Sequence, residues 1–274
     1  MGNRSRGGAG LLIALVMAAF AVFKYFGSAQ VNPVTGEKQH LAGITAQQEI
    51  ALGLQAAPQM VQQYGGPSQN ARLSQLVQAV GQRIVQGSDA SKTPYQFKFT
   101  LLDDEKTVNA FALPGGQIFM TDALANRLKT EGQFAGVLAH EAAHVVAKHG
   151  AEHIAKQQLT QGLTGAAVLA TYDPNNPSTT RNAAVIAALS NLVNLKYGRE
   201  DELEADRLGV RYMSVAGYDP RAMIGVMEVL RGAGGSGRQP EFFATHPNPE
   251  NRIQKIQAAI KAELPNGVPA GLKP

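Results

Sequence analysis

The feature that most limits what this chain can fold into is the pentapeptide His140-Glu141-Ala142-Ala143-His144, set among Phe134, Val137, Leu138, Val145 and Val146. The apolar residues recur at helical spacing, and Thr130 with Gln133 makes a capping box that starts the helix. Two histidines four apart sit about 40° from each other around a helix, so both imidazoles reach one ion. Glu141, about 100° from His140, lies beside that ion without having to bind it. A helix this apolar is not a solvated surface helix, so its histidines need a partner in the interior.

Two histidines leave a zinc site one protein ligand short. The chain has no cysteine, which excludes thiolate ligands, disulfides and cysteine nucleophiles, so the ligand must be His, Asp or Glu. The candidates lie in Arg199-Glu200-Asp201-Glu202-Leu203-Glu204-Ala205-Asp206. Glu200 and Glu204 share a helical face with Arg207 and Arg211, the pattern of a solvated face. Glu202 and Asp206 fall among Leu203, Gly209, Val210 and Met213, the inward side. Catalytic zinc takes three protein ligands and keeps one position open, and a ligating histidine gives its other N–H to a carboxylate. Glu202 is therefore expected as third ligand, with Asp206 holding a ligating histidine, His140 by preference. The metzincin pattern fails on counting, because Ala147 and Gly150 stand where it needs Gly and His. His149 and His153 are thus expected to be ordinary helix residues, His153 exposed.

Elsewhere the pattern is α+β and predominantly helical. Arg4 and Arg6 precede an apolar run from Leu11 to Phe23, an export segment over 1–29 that reads as a membrane anchor by preference, with a cleaved signal as the alternative. A polar linker over 30–44 follows, then one domain over 45–265 and a flexible tail over 266–274. Helices are expected over about 45–63, 68–86, 131–170, 181–196, 197–216, 220–232 and 249–263, the last capped by Asn248 and opened by Pro249. Alternation predicts a strand over 95–102, and Pro114-Gly115-Gly116 predicts a turn between strands 109–113 and 117–121. The segment Tyr172 to Arg181 reads as a mobile loop, and Gly232 to Gly237 as a hinge. A net charge of +4 with scattered basic residues gives no nucleic-acid footprint.

With these residues in hand, the chain resembles the zinc endopeptidases of the CAAX-prenyl-protease and HtpX type, which are gluzincins. The resemblance rests on His140-Glu141-Ala142-Ala143-His144 with Lys148-His149, on Glu202 to Asp206, on Asn109-Ala110-Phe111-Ala112-Leu113-Pro114-Gly115-Gly116, and on Thr245-His246-Pro247 with Arg252. It covers roughly residues 45–263, with Gly198-Arg199 where the family usually has Ser-Arg. It implies a zincin-like metalloprotease domain with a small β-sheet, one Zn2+ per chain, and hydrolysis of unfolded or misassembled envelope proteins on the periplasmic side of a bacterial inner membrane. In that chemistry zinc lowers the pKa of its bound water and Glu141 takes the proton. Asn109, Ala110 and Phe111 then read either as a cleft edge that pairs with extended substrate or as a plain core strand. The resemblance puts His246 near the zinc, as a fourth ligand that latches the site, or with Arg252 as an oxyanion or substrate donor, or as a capping-region histidine with no catalytic part. A catalytically latent chaperone-like zinc module and a purely structural four-ligand zinc site are the rivals.

Overall fold

The computed structural model describes residues 4–171, 197–234 and 239–274. The chain divides into two units, residues 1–45 with 151–195, and residues 46–150 with 196–274. The first opens with α1 (Arg4–Phe26), whose only interior charge near the end is Lys24. The expected linker holds a small antiparallel hairpin, β1 (Ala29–Val31) on β2 (Lys38–His40), with Gln30 opposite Gln39. Asn32 tightens it by accepting from the backbone N–H groups of Val34 and Thr35.

The second unit begins with α2 (Ala46–Gln63) and α3 (Ala71–Gly87). Asn70, two residues later than the sequence pattern placed the start, caps α3 by accepting from the N–H of Leu73 at 3.1 Å. A sheet follows in the order β3 (Lys98–Leu102), β5 (Gln117–Thr121), β4 (Ala110–Leu113). β4 and β5 form the expected hairpin, Phe111 facing Phe119, while β3 runs parallel to β5. Gly115 in the turn has φ +80, and a Cβ there would stand 2.4 Å from the Cα of Ile50, so only glycine fits. Met60, Leu102, Phe111 and Phe119 make one core cluster, with Tyr64 against it.

After the short α4 (Asp122–Ala125) comes α5 (Glu131–Val146), capped as expected by Thr130, and buried on almost every side. The single helix expected over 131–170 is two. Lys148 adopts φ 57, a left-handed conformation that ends α5, and α6 (His149–Thr171) starts after it. In the first unit α6 runs antiparallel to α1, with Gly162 beside Ala21 and Gly165 beside Met17, and Tyr25, Ala42 and Ala155 are buried together. Leu12, Phe20 and Phe23 of α1 are exposed. Among the described residues no helix is long and apolar enough to cross a membrane.

α7 (Arg199–Val215), α8 (Ala222–Ala233), the single turn α9 (Phe242–Thr245) and α10 (Arg252–Glu263) complete the second unit. α7 crosses α5 closely at Gly209, where a Cβ would lie 3.4 Å from the backbone nitrogen of His140. That approach sets the first two turns of α7 beside the two histidines. α10 starts at Arg252 rather than near 249, because Asn251 takes φ 60 in its left-handed cap. The segment 266–274, expected as a flexible tail, has bonds of its own: Gly132 donates to the carbonyl of Pro274 at 2.8 Å, and Lys273 reaches Glu131 at 3.0 Å. The expected helix over 181–196, the loop over 172–181 and most of the glycine run after Ala233 lie outside the described residues.

Candidate metal centre

α5 presents His140 and His144 one turn apart on a single face, and α7 brings Glu202 to meet them. The turn after α9 adds His246, whose N–H donates to the carbonyl of Phe242 at 2.8 Å. One ligand-type atom from each of these four buried residues lies within 4.8 Å of all the others. His140 Nε2 stands 3.0 Å from His144 Nε2, 3.5 Å from Glu202 Oε2 and 3.4 Å from His246 Nδ1. Glu202 Oε1 stands 3.4 Å from His144 Nε2 and 3.0 Å from His246 Nδ1.

These separations are those of a small tetrahedron. Bonds of 2.0–2.1 Å to a central ion give edges of about 3.3 Å between ligand atoms. Four buried atoms that each carry a lone pair repel at such distances unless protons or a cation stand between them. Nitrogen and oxygen donors in this number suit zinc, and the residues present fit it.

Electrostatics point the same way. Burial would depress the pKa of His140, but the hydrogen bonds it donates to Asp206 and Glu202 outweigh it and hold it up to about 9. Burial pushes His144 well below the usual histidine range, and a protonated His140 beside it adds to that. Glu202 is held well below the ordinary carboxylate value despite its burial, by the charge of His246 and by hydrogen bonds from His140, His144 and His246. Burial raises Glu141. Among the described residues neither oxygen of Glu141 has a hydrogen-bond partner, and His246 Nε2 stands 3.5 Å from Oε1.

Asp206 sits behind the group. Its Oδ1 is 3.0 Å from His140 Nδ1, and it accepts from Arg252 through Nε at 2.7 Å and Nη2 at 2.8 Å. Arg252 Nη1 lies 3.0 Å from Glu202 Oε2. Arg252 therefore differs from the expectation of an oxyanion or substrate donor, since its guanidinium is buried and turned onto the two carboxylates.

β4 is the outer strand of its sheet, and Ala110 and Phe111 are both buried, Phe111 in the core cluster. Asn109 donates from Nδ2 to the hydroxyl of Tyr64. Just before β4, Val108 accepts from the N–H of Phe242, and within β4 Ala112 accepts from the hydroxyl of Tyr197 at 3.4 Å.

Three features escaped the sequence pattern. Tyr197 stacks on His144 with ring centroids 3.9 Å apart. His149, expected to be an ordinary helix residue, is buried with its Nδ1 2.8 Å from His144 Nδ1. Glu204, expected on the solvated face, is only partly exposed, and its Oε2 lies 3.3 Å from His149 Nε2. The cause of both differences is the break at Lys148, in a stretch where Gly150 was the only visible interruption. His153, expected exposed, is half-buried.

The profile of Peptidase family M48 matches residues 68–260. The beta-barrel assembly-enhancing protease of Escherichia coli K12 is 30% identical over 256 residues, 88% of this chain and 50% of that protein. Mitochondrial metalloendopeptidase OMA1 of Schizosaccharomyces pombe is 36% identical over 154 residues, 56% of this chain and 44% of the relative. The chain thus spans about half the length, or less, of these relatives.

Proposed function

The chain belongs to peptidase family M48, and on that premise we propose that it is a zinc-dependent endopeptidase acting on unfolded or misassembled envelope proteins. The observation that carries this reading is Glu141, a fully buried carboxylate with both oxygens unpartnered, one residue from a metal-binding histidine pair. A buried acceptor left unsatisfied is costly, and its position beside the ligand atoms is that of a general base.

His140, His144 and Glu202 would hold the zinc, which when bound supplies an acidified water and a Lewis acid for the scissile carbonyl. Glu141 takes the proton from the attacking water as its oxygen bonds to the carbonyl carbon. The same carboxyl then gives that proton to the amide nitrogen as the C–N bond breaks, leaving an amine and a carboxylic acid whose remaining water-derived proton passes to the amine, so that the products are an ammonium and a carboxylate. The upward push of burial on Glu141 suits both halves of this transfer. Asp206 keeps the Nδ1 proton of His140 directed away from the metal, so that Nε2 offers its lone pair.

The substrate class is supported by the printed name of the Escherichia coli relative and by β4, an outer strand suited to pairing with extended polypeptide. Export is supported by Arg4 and Arg6 ahead of the apolar run, with the catalytic unit on the periplasmic side. Zinc content and cleavage of unfolded casein, compared between wild type and Glu141→Gln, test the reading. The variant should keep one zinc and its fold while losing about 10²–10⁴-fold in turnover. Retained turnover would remove Glu141 from the mechanism.

For His246 the latch is favoured by a specific arrangement. Its Nδ1 stands among the ligand atoms, while Phe242, stacked on it at 4.3 Å, bonds Val108, two residues before β4. One turn of chain thus joins the fourth metal position to the approach to the substrate strand. His246→Ala should raise casein cleavage, and a large fall with zinc retained would instead assign His246 to transition-state stabilisation.

A further inference from the structure

His144 and His149 confront each other through their Nδ1 atoms at 2.8 Å, and His149 Nε2 lies 3.3 Å from Glu204 Oε2. Two ring nitrogens that close must share one proton, one donating and the other accepting. His144 Nε2 stands among the ligand atoms and must offer a lone pair there, so a neutral His144 carries its proton on Nδ1. It donates to His149, whose Nδ1 accepts and whose own proton then sits on Nε2, aimed at the Glu204 carboxylate. One tautomer per ring satisfies both contacts.

We infer that His149 is a positioning residue for His144, fixing its tautomer and ring orientation, with Glu204 fixing those of His149 in turn. The inference rests on the zinc reading given above. His140 has a carboxylate for this purpose, whereas among the described residues the partner of His144 Nδ1 is His149, so the imidazole–carboxylate pair supplies the equivalent. Backbone geometry was arranged to bring it there. On an unbroken helix residues 144 and 149 would point about 140° apart. The left-handed Lys148 turns α6 so that the His149 ring returns to His144, at 5.0 Å between centroids. Lysine is an unfavourable residue for that conformation, and it is tied down by Glu49, which is buried and accepts from Nζ at 2.6 Å.

The test is the zinc dissociation constant of the full chain by chelator competition, with the visible spectrum of the cobalt-substituted protein and melting of the metal-free protein as a fold control. His149→Phe should weaken zinc about 10–100-fold and shift the cobalt bands. His149→Asn, whose Oδ1 falls near the lost Nδ1, should recover most of the affinity, which a merely structural role would not predict. Glu204→Gln, at a partly exposed position that tolerates the change, should raise the constant severalfold even if His149→Phe does not fold. The inference is overturned if His149→Phe stays within about twofold of wild type, if Asn is no better than Phe, or if Glu204→Gln leaves the constant unmoved. A wild-type chain that binds no zinc removes the zinc reading itself, and this inference with it, whereas tight wild-type binding with unmoved variants removes only the inference.

Discussion

His140 and His144 share one face of one helix, yet the surroundings of their outer nitrogens are built in opposite ways. Behind His140 stand Asp206 and Arg252, both buried, a carboxylate and a guanidinium joined by two hydrogen bonds, with α5, α7 and α10 each contributing one residue. Behind His144 stand a second imidazole and the partly exposed Glu204, brought into place by a break in the chain. The first arrangement is a charged lock, stable only while complete. The second is assembled by backbone geometry and reaches toward solvent, where substitution is tolerated. Stability should therefore be concentrated on the His140 side and adjustability on the His144 side.

The largest effect that would break this contrast is Arg252→Met. It leaves Asp206 and Glu202 as buried carboxylates without their cation, a loss expected at about 3–5 kcal/mol. Urea unfolding of the metal-free protein measures it, and a loss no larger than that of Glu204→Gln would erase the distinction.

Next comes pH. In the metal-free protein His140 is held up to about 9, above the unfolded value near 6.5. Its contribution to stability is thus full below about pH 6.5 and is lost as pH rises through about 9. Zinc must displace that proton, so zinc affinity should move the other way, rising over the same window by roughly tenfold per pH unit. His144, pushed down by burial, adds no such proton. A metal-free protein that gains stability from pH 6.5 to 9 while zinc affinity stays flat would contradict the assignment.

A smaller change, Asp206→Ala, should weaken zinc by about 10–100-fold. It should also destabilise the metal-free chain, because Arg252 loses its main partner, whereas Glu204→Gln should leave that stability near wild type. The smallest effect is expected far from both histidines. Lys273→Ala removes a half-exposed pair with Glu131 and should cost under about 1 kcal/mol by thermal melting.

The two sides also differ in how far the sequence revealed them. Helical phase alone separates Glu202 and Asp206 from Glu200, and all three lie where that phase puts them, buried or exposed. Phase works there because α7 is unbroken from Arg199 to Val215. It fails for His149, since a left-handed residue resets the phase and Lys148 is not a residue that announces one, and Glu204, on the unbroken α7, is partly covered by the imidazole that this reset brings to it. The β4–β5 hairpin was legible because Pro114-Gly115-Gly116 specifies its turn locally. Arg252 was legible as a site residue but not in its contacts, which depend on how α10 packs against α7, a long-range matter that periodicity does not encode. Tyr197 had no signal at all, as a lone tyrosine before a helix start.

The central claim, a zinc held by His140, His144 and Glu202, is tested most directly by zinc dissociation constants of Glu202→Ala and Glu204→Ala measured side by side. These residues are two apart on one helix, equal in charge, and differ in whether they face the ligand atoms or His149. The account predicts that Glu202→Ala all but abolishes tight zinc binding, whereas Glu204→Ala weakens it by no more than the 10–100-fold typical of an outer partner. A larger loss from Glu204→Ala, or tight binding retained by Glu202→Ala, would contradict it.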